Sequence, residues 1–265
     1  MNDKFNKAFF QDVHVHLQDV PAEVRNDILG NASGNGLRRL FCNATRLNDW
    51  DAVKDISAVG AEVVPFYGIH PWYVENEKQG WETRLPEYLS DRKNSGIGEI
   101  GLDKGPKAGK YDEQLSVFTV QVKIAKEAQR PFILHCVHAW DDALRIIRSV
   151  TGGGTPFIAH GFCGSEQLAS QIIDLGGYIA VSFRLFESKH RNVINVLPRN
   201  KILIESDFPY HKRKDREALL SAEEYFSLLF STYENTAKSL GIPVEDLAEI
   251  IFENGTVYTH KIDPR

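Results

Sequence analysis

The sequence predicts an α/β fold, a (β/α)8 barrel with extra helices at its C-terminal end. Three observations carry that prediction. Eight short β-like runs alternate with longer helical stretches over 265 residues, and a repeated strand–helix order favours parallel strands. Eight such units in about 250 residues match the size of a (β/α)8 barrel. An open doubly wound sheet, the structural rival, needs a glycine-rich phosphate turn after an early strand, and the sequence carries none.

The elements follow in order. The first run, FFQDVHVH (9–16), alternates valine with histidine, the period-2 pattern of a strand with two different faces. LRRLFCN (37–43) and EVVPFYGIH (62–70) are rich in aromatic and branched residues, as strands are. GIGEIGLD (96–103), PFILHC (131–136), PFIAHGF (156–162), GYIAVSF (177–183) and KILIESD (201–207) complete the eight. Between them the chain takes helical periodicity; in 114–128, Leu115, Phe118, Val122 and Ala125 mark one face. Two helices are expected after the last strand, 219–240 and 243–258. Gly241 suits the end of the first and Pro243 the start of the second. Both are expected to pack outside the barrel. No linker or low-complexity stretch divides the chain, so residues 1–265 are expected to form a single domain.

Composition narrows the function. Hydrophobic content of 42 % and charged content of 25 % are those of an ordinary globular enzyme. No run approaches the ~20 apolar residues of a membrane span. A net charge of −5 argues against a broad basic surface for gripping long duplexes. Three cysteines are too few for a disulfide framework, and the N-terminal stretch has no apolar signal core. Both point to the cytoplasm. Thiolate ligation by Cys136 or Cys163 is disfavoured, because neither lies on the alternating positions that carry the ligands below.

Six potential metal ligands sit at the ends of the expected strands: His14, His16, Glu99, His135, His160 and Asp207. Residues two apart on a strand face the same side, so His14 and His16 point together. The same alternation groups Glu99 with Ile97, His135 with Ile133, His160 with Ile158 and Asp207 with Glu205. A barrel gathers the C-terminal ends of its strands around one mouth. A lone strand-end histidine is commonly structural, but five strands each delivering a ligand suggest a two-metal hydrolytic centre. Asp12 and Glu205 lie one layer deeper and are expected to orient imidazoles. Asp103 is expected to close the loop after the fourth strand.

DVHVHL, GIHPWY, GEIGLD, the stretch from QLSVFTVQVKIAKE to RPFILHC, IAHGFCGS and IESDFPY, in that order, resemble the TatD family of metal-dependent hydrolases. The likeness covers most of the chain. It implies a TIM-like barrel and a metal-dependent deoxyribonuclease activity. By this resemblance His14, His16 and Asp207 hold a first divalent ion, Glu99 bridges, and His135 and His160 hold a second. The implied reaction is hydrolysis of a phosphodiester, single-stranded DNA ends included, by a water activated at that centre, with Glu99 and Asp207 catalytic. Imidazole-rich ligation suits Zn, Mn, Co or Ni, and Mg is associated with the family's nuclease activity. No membrane or obligate protein partner is implied. The alternative is an amide or lactone hydrolase on the same barrel, and, further off, a non-enzymatic interaction protein.

Substrate contacts are expected from His70 and from Lys212 and Arg213, with Lys214 and Arg216 in the same basic segment. Trp72 and Tyr73 are candidates for stacking on a base. Family members often carry an arginine soon after the fifth-strand histidine, where this chain has Val137. They often follow GLD with tyrosines, where it has Lys104, Gly105 and Pro106. Both departures fall on the expected substrate rim.

Overall fold

A computed structural model describes residues 9–59, 62–77, 80–92, 94–210 and 220–260. The strands are β1 (Phe10–Val15), β2 (Leu37–Asn43), β3 (Glu62–Phe66), β4 (Ile97–Asp103), β5 (Phe132–Val137), β6 (Phe157–Ala159), β7 (Gly177–Val181) and β8 (Ile202–Ile204). The helices are α1 (Ala22–Ala32), α2 (Trp50–Ile56), α3 (Trp81–Asp91), α4 (Tyr111–Glu127), α5 (Trp140–Thr151), α6 (Glu166–Asp174), the short α7 (Phe183–Glu187), α8 (Ala222–Leu240) and α9 (Val244–His260).

All strand pairs are parallel and follow chain order, β1-β2-β3 and β4-β5-β6-β7-β8. Single bridges close the two seams, Phe66 with Gly96 and Val15 with Phe208. At the first seam Tyr67 N donates to Gly96 O (3.0 Å) and Gly98 N to Tyr67 O (3.1 Å). At the second, Asp207 N donates to His14 O (3.0 Å) and His16 N to Phe208 O (2.8 Å). The result is the expected (β/α)8 barrel. Its strands are buried on both faces, as parallel strands between helices must be.

Three strands stop three or more residues short of their sequence runs. β3 ends at Phe66, β6 at Ala159 and β8 at Ile204. The residues beyond them leave the ladder to turn across the mouth: Gly161 (φ 60°) and Asp207 (φ 55°) take the left-handed conformation. His70, His160 and Asp207 therefore stand on turns just past their strands.

The C-terminal helices divide their work. α8 begins at Ser221, whose side chain accepts from Glu224 N, and ends at Gly241 (φ 65°). It packs on the outside. α9 departs from the expected placement. Its Tyr258 ring lies against Phe41, Phe66 and Tyr178, and its hydroxyl donates to Phe132 O (2.8 Å). One aromatic residue thus joins β2, β3, β5 and β7 from the end opposite the ligands. The physical reason is the open, apolar floor of the barrel, which needs a large side chain to fill it.

Candidate metal centre

All six expected ligands meet at one mouth. β1 aims two imidazoles at a single point: His14 Nε2 and His16 Nε2 are 3.0 Å apart. Glu99 Oε2 lies 3.4 Å from each. Asp207 Oδ1 lies 4.0 Å from His14 Nε2 and 3.9 Å from His16 Nε2. Atoms bound to one ion at ~2.0–2.2 Å stand roughly 3–4 Å apart, so this quartet has the span of one coordination shell.

The second oxygen of Glu99 faces another set. Oε1 is 2.9 Å from His135 Nδ1, 3.5 Å from His70 Nε2 and 3.8 Å from His160 Nε2. His160 stands between the sets, its ring stacked on His14 at 3.7 Å and its Nε2 3.8 Å from Asp207 Oδ1. Glycines make this approach possible. A Cβ on Gly101 would lie 1.8 Å from His135 O, and one on Gly98 would meet Asn43 Oδ1 at 2.9 Å. β4 could not lie so close to its neighbours with side chains there.

Partners behind the rings fix their tautomers. His16 Nδ1 donates to Asn43 O (2.8 Å), and His160 Nδ1 donates to Glu205 (2.8 Å). In the neutral ring each Nε2 is then a bare lone pair turned into the centre. His135 Nε2 rests on Asp103 Oδ2 (3.1 Å), leaving Nδ1 toward Glu99. His14 Nδ1 is buried without a hydrogen-bond partner, so that ring's polar contacts are all on its Nε2 side. Lone pairs of three or four imidazoles and two carboxylates, converging out of water, demand positive charge among them. Protons can provide it in part, but the donor set is one that divalent ions of the borderline kind fit well.

The ionisation behaviour reflects the same crowding. Burial and the nearby His160 push His14 down to about 4. Burial works against the charged form of Glu99, yet His70 and His14 outweigh it and hold the carboxyl well below its ordinary value. Burial likewise opposes charge on His160, but Glu205 and Asp207 raise it to about 10. Asp207 is lowered against burial by His160 and Arg184.

His70, expected to contact substrate, is 4 % exposed and forms part of the wall, with Glu99 and His135 as neighbours. Trp72 N donates to its Nδ1 (3.1 Å), so the neutral ring carries its proton on Nε2, the atom that faces Glu99. Burial drives His70 down to about 4, so the neutral form prevails at pH 7. His70 thus offers the centre a donor, where the other rings offer lone pairs.

Other expectations divide. Glu205 orients His160 as expected and also accepts from Gly161 N (2.7 Å). Asp12 does not touch an imidazole nitrogen. Its carboxylate accepts from His14 N, Ser206 N, Ser206 Oγ and Tyr225 OH, tying β1 to β8 and α8. The parity of the strand brings Asp12 to the seam, where main-chain donors claim it first. Asp103 closes its loop through Gly105 N (2.6 Å) and also anchors His135 and Trp72 Nε1 (2.6 Å), a role the sequence reading missed. Trp72 is held edge-on by that bond and covered on its face by Lys107 Nζ (4.7 Å); Tyr73 carries Arg46 over its ring (5.0 Å). Lys104 pairs with Asp142. Cys136 and Cys163 are free, belong to none of the ligand groups among the described residues, and have thiols pushed up by burial. Lys212, Arg213, Lys214 and Arg216 lie outside the described residues. Arg184, which sequence reasoning passed over, reaches Asp207 from α7. No helix among the described residues is long and apolar enough to cross a membrane.

Comparison with known proteins agrees with this geometry. The chain is 26 % identical over 262 residues to the metal-dependent hydrolase YcfH of Escherichia coli (strain K12), covering 93 % of this chain and 94 % of that protein. It is 25 % identical over 209 residues to the 3'-5' ssDNA/RNA exonuclease TatD of Salmonella typhimurium, covering 77 % and 80 %. The crystal structure of YJJV, a TatD homolog from Escherichia coli K12, shares the fold with a TM-score of 0.81 at 24 % identity, over 95 % of this chain and 98 % of that one. The model of the TatD related DNase family matches residues 11–258. The chain belongs to that family and is an enzyme of the metal-dependent hydrolase kind.

Proposed function

We propose that the chain, acting as one hydrolase domain over residues 1–265, cleaves phosphodiesters at a pair of divalent ions, with single-stranded nucleic-acid ends among its substrates. The observation that carries this reading is Glu99. Its Oε2 faces His14 and His16, its Oε1 faces His135, and His160 stands between the two sides within reach of both Oε1 and Asp207. A carboxylate so placed would be able to hold a divalent ion at each of its oxygens. When bound, such a pair supplies a water acidified toward neutral pH and positive charge opposite the phosphoryl oxygens.

The residues supply the rest. Glu205, Asn43 O and Asp103 hold the imidazoles in the tautomers that present bare nitrogens inward. Asp207 accepts the proton of the attacking water at Oδ1. Its depressed pKa makes it a weak base, so it positions more than it activates. His70 donates its Nε2 proton to a phosphoryl oxygen, and Glu99 Oε1 at 3.5 Å holds that group in place beforehand. Lys212 and Arg213 contact neighbouring phosphates of a longer strand. The named activity of the TatD exonuclease relative supports a single-stranded substrate. Ligand type favours Zn, Mn, Co or Ni over Mg. The three free thiols fit work in the cytoplasm.

The test is a metal-supplemented screen of single-stranded DNA, a small phosphodiester, a phosphomonoester and a lactone, with Asp207→Asn as control. Turnover of the two diesters that Asp207→Asn abolishes is the expected result. Turnover of the lactone with both diesters untouched overturns the proposal.

A further inference from the structure

Arg184 occupies a place that the roles above leave open. It follows β7, one of the three strands that bring none of the six expected ligands, and its side chain is 42 % exposed at the mouth. Its Nη2 donates to Tyr210 O (2.6 Å) and lies 3.1 Å from Asp207 Oδ2. Asp207 is thereby used at both ends: Oδ1 faces His14, His16 and His160, and Oδ2 faces the guanidinium. Among the described residues, Nε and Nη1 of Arg184 make no hydrogen bond. Other cations near the mouth are engaged: Arg46 with Asp49 and Asp19, Lys104 with Asp142, and Lys107 over the Trp72 ring.

An arginine kept only to brace a carboxylate would turn its fork onto it. Here one nitrogen, Nη2, serves both protein contacts, and the other donors of the fork are left unused by the described residues. A phosphate is about as wide as the carboxylate it would lie against, and a guanidinium matches phosphate oxygens in a planar, paired fashion. We propose that Arg184 binds the phosphate at the centre, donating from its unused edge to a non-bridging oxygen while Nη2 stays on Asp207. This assigns substrate binding to a residue of α7. It rests on the phosphodiester reading given above.

The experiment compares wild-type holoenzyme with Arg184→Gln and Arg184→Lys. It measures kcat and KM on a small aryl phosphodiester, inhibition by inorganic phosphate, and metal content per chain. Arg184→Gln is expected to keep its metal, to weaken phosphate inhibition about tenfold or more, and to lower kcat/KM about 10- to 100-fold, the range for a lost charged hydrogen bond. Arg184→Lys should recover part of both, and added guanidinium should partly restore Arg184→Ala. Phosphate inhibition equal to wild type in Arg184→Gln, or lost only in proportion to lost metal, overturns the assignment and leaves Arg184 a brace for Asp207. If wild type itself neither cleaves the diester nor binds phosphate, the phosphodiester reading fails. If wild type does both and Arg184→Gln matches it, only the role of Arg184 fails.

Discussion

Replacing Glu205 by glutamine is expected to weaken the binding of one ion by 10- to 100-fold. Glu205 is fully buried, and each of its oxygens meets a donor: Oε2 His160 Nδ1 at 2.8 Å, Oε1 Gly161 N at 2.7 Å. A glutamine has one acceptor and one donor end. The main-chain N–H of Gly161 has no alternative, so the amide oxygen goes there and the amide N–H meets His160. In the metal-free protein the ring adapts by moving its proton to Nε2 and accepting at Nδ1. Metal binding then forces the proton back and leaves two donors facing each other out of water. A buried unsatisfied donor costs about 1–3 kcal/mol, and partners of ligating histidines carry the same 10- to 100-fold in metal affinity. Calorimetric titration of metal-free protein with Zn or Mn reads it directly: one of two isotherms weakens, the other stays within a few-fold. An independent reading comes from imidazole nitrogen resonances, because Glu205 is a main cause of the high His160 pKa of about 10. That value should fall in Glu205→Gln. Isotherms superimposable on wild type, with His160 still titrating near 10, would refute the tautomer reasoning.

Further outcomes follow from the same geometry. Glu99→Gln should weaken both ions together and abolish turnover with the fold retained, as circular dichroism can verify; one fully retained ion would exclude the bridging role. His70→Asn keeps an acceptor for Trp72 N but deletes the Nε2 donor, so kcat should drop by about 10²–10³ with metal content unchanged; loss of an ion instead would make His70 a ligand. Burial raises Asp12 from 3.8 to about 7. A carboxyl that holds its proton more tightly folded than unfolded gives stability that is full below about pH 4 and lost as pH rises to about 7, up to about 4 kcal/mol. Denaturant unfolding of wild type against Asp12→Asn across that window should show the difference, and a flat difference would reject burial as the cause. Neutralising Lys212, Arg213, Lys214 and Arg216 together should raise KM more for an oligonucleotide than for a small aryl phosphodiester; equal effects would remove these residues from substrate contact.

The convergence of the six candidate ligands was legible in the sequence because strand parity and the barrel's shared mouth act on side-chain identity alone. His14 and His16 two residues apart, and one histidine or carboxylate per strand end, need no distances. The groups that hold those ligands were harder to read. The partner of His16 is the carbonyl of Asn43, which any residue offers. Asp12 and Glu205 occupy like positions, yet one lies at the β1–β8 seam among main-chain donors and the other under an imidazole. His70 needed the Trp72 amide to set its proton. Arg184 and Tyr258 depend on how a five-residue helix and the last helix cross the barrel, which local periodicity does not encode.

The β1–β8 seam has a further meaning for assembly. β8 contributes only Ile202–Ile204 to its ladder, and the main-chain closure to β1 is the short link through Val15 and Phe208 and the amides of His16 and Asp207, beside the bonds from Ser206 to Asp12. The side chains of His14, His16 and Asp207 straddle that same link. An ion held by all three would be a cross-brace between the first and last strands. Chelation should therefore loosen this join before any other part of the cylinder, and the amides of His16 and Asp207 should exchange deuterium sooner once the ion is withdrawn.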